Sequence, residues 1–403
     1  MHMNAMFARF LSSLLPGLLV LTGCASSEAD APTGAVAAEE CERLAAVTPD
    51  QAAGTTVLVP DNTASHRATG FSAVVTAALV EAQGRGDRLL VMPVDGAGAP
   101  PRVARTIALE PAPGDDSPAA AQARKGVVTC VATWARDDLA RPTAGGSAVL
   151  DIINAAALER PAKVIVLSDG IANVGQFDLD VLGFGAPGDR VAQRLADADA
   201  FAPQLSGISL LWNGLGATVP PLPQPVRADL ERIWTAVLTK AGATATFDST
   251  SGAALDPLPD LPADPVTVPE VESVALPCDG TEIIIPGVLL FAGESTVLEP
   301  GADEVLGEIA RQLRARAGAR ARVDGHAAAY GDDSGRVVKS RLRAEAVKTK
   351  LVEFGVAGSR LTTEGWGSTA PLVDEFPGRT HDEAAAARNR RVTVVITEAG
   401  CDR

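Results

Sequence analysis

The chain is poor in the residues that build metal centres from nitrogen and sulfur: four His and five Cys in 403 residues. No Cys-x-x-Cys pair and no Cys/His cluster occurs, which leaves a zinc site without ligands. No Ser/His/Asp set, paired-carboxylate cleft or Cys/His nucleophile emerges from the spacing, so the chain is not read as an enzyme. Positive charge is also short, 35 Lys and Arg against 50 Asp and Glu, for a net charge of -15. A phosphate binder normally carries the opposite field, so nucleic acid is excluded as the main partner. What is present is a globular composition, 46% hydrophobic and 21% charged, over a length that suits two domains.

Residues 1–23, "MHMNAMFARFLSSLLPGLLVLTG", carry a single Arg, no acid and an apolar core too short to stay in a bilayer, which is the form of a secretory signal. They end in Leu21-Thr22-Gly23-Cys24. This stretch resembles the bacterial lipobox, and the resemblance implies lipidation at Cys24 and an exported chain tethered to the cell membrane or outer membrane, facing the wall. Residues 24–50 then read as a flexible tether. Cys41, Cys130, Cys278 and Cys401 remain, an even number in an exported chain, so disulfides are expected. Three pairings are possible. Cys41 and Cys130 share the first globular region while Cys278 and Cys401 bracket the last, which favours 41–130 and 278–401.

Over residues 51–252 apolar runs such as "TTVLV", "RLLVMPV", "KVIVLS", "GISLLW" and "ATATF" alternate with helical stretches such as "GFSAVVTAALVEAQ" and "ADLERIWTAVLTKAG". That alternation predicts an α/β doubly wound, mostly parallel sheet, whose ligands sit at the carboxyl ends of strands. Residues 253–280 are rich in Pro and Asp and read as a semi-rigid extended linker. Residues 281–403 form a smaller α+β unit, in which "GADEVLGEIARQLRAR" and "RAEAVKTKLVEF" set apolar residues on one helical face and "EIIIPGVLLF", "ARVDG", "LTTEGWG" and "RRVTVVIT" read as strands.

Hard cations are held where carboxylates and neutral oxygens converge at neighbouring strand ends. "VLVPDNTASHR" places Asp61, Thr63 and Ser65 at alternate positions after a strand, "AGGSAV" offers Ser147 beside two glycines, and "VIVLSDG" delivers Asp169 at a strand end. The set resembles the metal-ion-dependent adhesion site of the von Willebrand factor type A domain, with Thr63 and Ser147 exchanging the family's usual hydroxyl residues. "WNGLG" matches a Gly-x-Gly turn of the same family. The resemblance implies a divalent cation, Mg, Mn or Ca, and a protein partner that offers it an acidic side chain. Side-chain capping of turns is the plainer use of these residues. His66 follows the loop and is assigned no role. Gly183, Gly185 and Gly188 in "GFGAPG" have dinucleotide-turn spacing, but no acid ends the next strand, where Asn213 stands, and Pro187 stiffens the turn.

"GVLLFAGESTVLEPGADEVLGEIARQL", "VDGHAAAYGD", "SRLRAEAVKTKLVEFGVAGSRLTTEGWGSTAP" and "RNRRVTV" resemble, in order, the OmpA-like peptidoglycan-binding domain, over roughly residues 281–398. In that family an Asp takes the ammonium of a diaminopimelate and an Arg its carboxylate. Here the resemblance points to Ser340, Arg343 and Arg390, whereas Ala328 stands in place of the Asp and Arg336 where Asn is frequent. Asp332 or Asp333 is then the acid left to reach the ammonium. The chain is read as a non-enzymatic envelope lipoprotein that links membrane to peptidoglycan and presents an adhesion-type domain to another envelope protein. The alternative is an envelope scaffold or oligomerisation lipoprotein whose OmpA-like domain has lost wall binding.

Overall fold

The computed structural model describes residues 38–47, 52–329 and 333–398. The lipidation expected at Cys24, the Asp332 candidate and the Cys401 end of the second expected disulfide lie outside the described residues. Among the described residues eleven strands fall into two sheets. The first holds β1 (Gly54–Pro60), β2 (Asp87–Val91), β3 (Arg105–Ala108), β4 (Lys163–Leu167), β5 (Ser209–Asn213) and β6 (Thr244–Asp248), in the order β3-β2-β1-β4-β5-β6. All neighbours run parallel except β3, which closes one edge antiparallel to β2.

Alternation decides what covers each face, because successive strand residues point to opposite sides. Val57 and Val59 of β1, Val164 and Val166 of β4, and Leu210 and Trp212 of β5 join the cluster that contains α4 (Val149–Leu158), α6 (Gly188–Asp197) and α7 (Gln224–Lys240). Leu58, Ile165 and Leu211 between them join the cluster built with α1 (Ala38–Ala45), α2 (Ala73–Gly84) and α3 (Pro118–Trp134). Helices therefore cover both faces. Ser72 and Ser117 cap α2 and α3 by accepting from the amides of Val75 and Ala120.

Two boundaries differ from the sequence reading. The stretch expected as tether, 24–50, includes α1, whose Cys41 and Leu44 are buried and whose Cys41 is disulfide-bonded to Cys130 of α3. Burying those two side chains takes an amphipathic helix rather than a solvated coil. The expected linker, 253–280, contains β7 (Glu272–Leu276), an edge strand that pairs with β8 (Gly280–Pro286). Residues 249–271 carry no regular strand or helix, yet they are tied to the loop between β1 and α2: Gly70 N donates to Ala253 O and Leu255 N to Ala68 O.

The second sheet runs β10 (Leu361–Gly365), β9 (Arg320–Gly325), β11 (Arg391–Thr397), β8, β7, with β9 and β10 parallel and the remaining pairs antiparallel. Helices α8 (Ala302–Ala315) and α9 (Asp333–Glu353) bury Leu306, Ile309, Leu313, Val347 and Leu351 against it. Short α10 (Glu383–Asn389) precedes β11, and a one-turn α5 (Leu179–Leu182) precedes α6. The described residues form one compact unit in which a single apolar cluster includes Ile283, Ile285 and Val288 beside Ala186, Val226 and Leu230. Among the described residues no helix is long and apolar enough to cross a membrane.

Candidate functional site

β1 and β4 lie side by side, and from them the chain proceeds to opposite edges of the sheet, so their carboxyl ends flank the switch point where ligands of such sheets bind. Asp61 follows β1 and Asp169 follows β4, and the backbone N–H of Asp61 donates to the Leu167 carbonyl at 2.8 Å. Asp61 Oδ1 accepts from the amide and the hydroxyl of Thr63, at 3.0 and 2.6 Å, and its Oδ2 accepts from Ser168 Oγ at 2.6 Å. Thr63 Oγ1 lies 3.2 Å from Ser65 Oγ and 3.1 Å from Ser147 Oγ. All five residues expected as a cluster are buried, and hydrogen bonds join Asp61, Thr63, Ser65 and Ser147 directly.

One member was not visible in the sequence. Asp264, from the Pro/Asp-rich stretch, is 8% exposed and accepts from Ser65 Oγ at 2.6 Å and Ser147 Oγ at 2.8 Å through Oδ2. Its Oδ1 accepts from Asn173 Nδ2 at 2.7 Å. Asp169 Oδ1 accepts from the Ile171 amide at 2.9 Å, while its buried Oδ2 has no hydrogen-bond partner among the described residues. Burial, with the charges of Asp61 and Asp264, pushes the Asp169 carboxyl well above the usual carboxylate range, against the Ile171 amide and the nearby Ser65 hydroxyl.

The protons of this cluster can be counted. Each hydroxyl carries one, and ionised carboxylates only accept. Thr63 gives its proton to Asp61, and Ser65 and Ser147 give theirs to Asp264. Ser147 Oγ is also placed to donate to Thr63 Oγ1 at 3.1 Å, so its one proton is divided between Thr63 and Asp264, and the three hydroxyl oxygens face one another with more acceptor sites than protons. His66, beside the loop, keeps Nδ1 buried with no hydrogen-bond partner among the described residues, and burial lowers its pKa.

The groove expected in the second sheet is built differently from expectation. Arg343 of α9 is 5% exposed, donates from Nε to Ser295 O at 2.9 Å and from Nη2 to Gly293 O, and lies 5.0 Å above the Phe291 ring. Burial brings its pKa down to about 10, aided by Arg390 and opposed by Glu294. Ser340 Oγ donates to Val337 O and accepts from the Gly367 amide at 2.9 Å, so it pins the turn after β10. Arg390 pairs with Glu383 at 2.7 Å, leaving Nε and Nη1 buried with no partner among the described residues. Arg391 likewise uses Nη2 on Ala370 O and leaves Nε and Nη1 unpartnered.

Ala328 is buried, and the carboxylate next to it comes from a residue the sequence reading missed. Glu375 accepts from the Ala329 amide through both oxygens at 2.9 Å and from Asn389 Nδ2 at 3.1 Å. The "GFGAPG" turn also has a use unrelated to nucleotides: a Cβ on Gly185 would stand 3.2 Å from Val288 Cβ, and the Gly185 amide donates to buried Asp229 at 2.7 Å.

The OmpA family profile matches residues 290–388, which makes the C-terminal part an OmpA-like domain. The chain is 28% identical over 140 residues to the outer-membrane lipoprotein YfiB of Pseudomonas aeruginosa, across 35% of this chain and 80% of that protein. It is 31% identical over 110 residues to the peptidoglycan-binding protein ArfA of Mycobacterium tuberculosis, across 27% of this chain and only 32% of ArfA, about a third of that protein's length. The solved cell wall anchor of the type VI secretion system (T6SS) from Pseudomonas aeruginosa is 28% identical, with a TM-score of 0.27, over 32% of this chain and 87% of that one.

Proposed function

We propose that the chain is a non-enzymatic, lipid-anchored protein of the cell envelope that engages peptidoglycan through its OmpA-like domain. The observation that carries this is the OmpA match over residues 290–388, in a chain similar to proteins named as an outer-membrane lipoprotein and as a peptidoglycan-binding protein. Lipidation at Cys24 and export fit the lipobox-like segment. Co-sedimentation of the folded, lipid-free chain with purified sacculi at low salt tests it. Wild type is expected in the pellet and Arg390→Gln in the supernatant, since Arg390 leaves Nε and Nη1 without a hydrogen-bond partner among the described residues. Absence of wild type from the pellet overturns the proposal.

A specific observation favours the second reading, a scaffold that has lost the wall: Arg343 spends its guanidinium on two loop carbonyls, and Ala328 has no carboxylate. Sedimentation alone separates the two.

For the first sheet the reading is a von Willebrand factor A-like domain holding a divalent cation on Asp61, Thr63, Ser65, Ser147 and Asp169 and presenting it to an envelope protein. Its support is the location at the switch point, an all-oxygen donor set suited to Mg²⁺, Mn²⁺ or Ca²⁺, and the orphaned Asp169 Oδ2. Among the described residues no three His, Cys, Asp or Glu are placed to hold a metal alone, so hydroxyl oxygens carry a large share. Calorimetric titration of the metal-free chain with each cation tests this, the Asp61→Ala/Asp169→Ala double variant being expected to show no binding.

A further inference from the structure

We infer that Asp264 is a resident ligand of this oxygen cluster: the segment joining the two sheets supplies, from within the chain, the acidic side chain that an outside partner would otherwise bring. The inference rests on the cation reading of the cluster given above. Asp264 is 199 positions from Ser65, yet its carboxylate reaches both Ser65 and Ser147. A solvated linker would not leave an Asp 8% exposed beside two other acids.

The path of the segment is built for it. Gly146 N donates to Ala263 O at 3.1 Å, and Asn173 Nδ2 reaches Pro265 O at 3.1 Å as well as Asp264 itself. A Cβ on Gly145 would stand 2.6 Å from Ala263 O, and Gly146 has φ +86°, so both glycines of "AGGSAV" are needed for the linker backbone to lie where it does. Upstream, Arg136 and Arg141 each donate to linker carbonyls, of Asp256 and Pro259. Asn173 is a clamp in its own right, since its Oδ1 accepts from the Ser147 amide at 2.8 Å while its Nδ2 holds the linker.

The charge balance is what the clamp does not solve. Asp61, Asp169 and Asp264 are all buried, and among the described residues Asp169 Oδ2 has no donor. A cation among the facing hydroxyl oxygens offsets the buried negative charge that Asp264 brings, so cation and linker hold each other in place by linkage. An outside acidic ligand must then displace Asp264, and the position of the linker becomes dependent on the cation.

The test uses the full chain with Mg²⁺, Mn²⁺ or Ca²⁺ alone, read by calorimetry and by hydrogen–deuterium exchange of peptides covering residues 253–270. In wild type, cation is expected to slow exchange in those peptides at least tenfold relative to chelator. Asp264→Asn, which keeps side-chain size but removes the charge and turns one accepting oxygen into a donor, is expected to weaken cation affinity at least tenfold and to lose that protection. If wild type binds cation but Asp264→Asn binds as tightly or more tightly, or if chelator leaves exchange of wild-type residues 253–270 unchanged, the resident-ligand inference is overturned and the cation reading stands. If wild type binds none of the three cations, both are overturned. The wild-type exchange arm depends on no variant.

Discussion

Gly183 and Ala387 are in direct apposition: a Cβ placed on Gly183 would stand 2.8 Å from the Ala387 Cβ. The glycine caps α5 with φ 75° and ψ 138°, a region closed to other residues, and α10 lies against it. Its neighbours in the turn do the same work, Gly185 against Val288 and Gly188 against the backbone of Arg232 in α7. The G-x-G-x-x-G spacing is therefore a packing device: Gly183 admits α10, Gly185 admits Val288, and Gly188 lets α6 approach α7.

Gly183→Ala is expected to destabilise the chain by about 2–4 kcal/mol, the sum of backbone strain and overpacking. Urea denaturation measures it. An unchanged midpoint would mean that the turn and α10 separate freely in solution.

Arg343 is a structural residue first. Its replacement by Ala leaves the carbonyls of Gly293 and Ser295 without their donor and a gap over Phe291. We expect Arg343→Ala to cost about 2–4 kcal/mol of stability whatever it does to wall binding. Arg343→Lys keeps the charge but cannot bridge both carbonyls, and should recover only part of the loss. Thermal denaturation of the two variants beside wild type checks the ranking. A sedimentation defect in Arg343→Ala is informative only after this correction.

Much of this architecture is readable from residues alone, for a physical reason. Strands β1, β4 and β5 are buried on both faces, so their sequences are near-continuous apolar runs flanked by helices, and such runs are legible locally. β3 and β7 are short edge strands, β7 mostly exposed, and carry no such run. Helix α3 is harder to read, since Gly126, a weak helix former, stands beside the helically spaced Val127, Cys130, Val131 and Trp134. Asp61, Thr63, Ser65, Ser147 and Asp169 could be picked out because each ends a recognisable strand or begins a helix. Asp264 and Glu375 could not. Each sits in a polar, Pro-containing stretch that looks solvated, and only a contact across 46 or more positions reveals its role.

The Cys41–Cys130 bond ties α1 to α3 across 89 positions. Cross-linking so large a loop restricts the unfolded chain, and its loss costs about 2–5 kcal/mol. The Cys41→Ser/Cys130→Ser double variant is expected to unfold at lower urea by that amount and to expose α1 to protease before the rest. Equal protease resistance of α1 in variant and wild type would show that Leu44 and its neighbours hold the helix without the bond.

His326, between β9 and the turn at Ala328, gives the fold an acid-sensitive point. Burial, with Arg391 and Arg322 nearby, lowers its pKa to about 4 from 6.5, and only the Ala370 backbone opposes the shift. The folded chain thus keeps the imidazole neutral while the unfolded chain takes up a proton below pH 6.5. Because the folded pKa is the lower one, the stabilising contribution is whole above pH 6.5, falls as the pH drops, and levels off below pH 4. A shift of this size corresponds to about 3 kcal/mol at most. Carboxylates titrate in the same window, so the contribution is read as a difference. Urea denaturation of wild type and His326→Gln at pH 7.0 and pH 4.5 should show wild type losing more stability than the variant by an amount approaching that figure. Parallel losses in the two proteins would mean that the imidazole is protonated in the fold, with an acceptor such as Asp324 turned toward it.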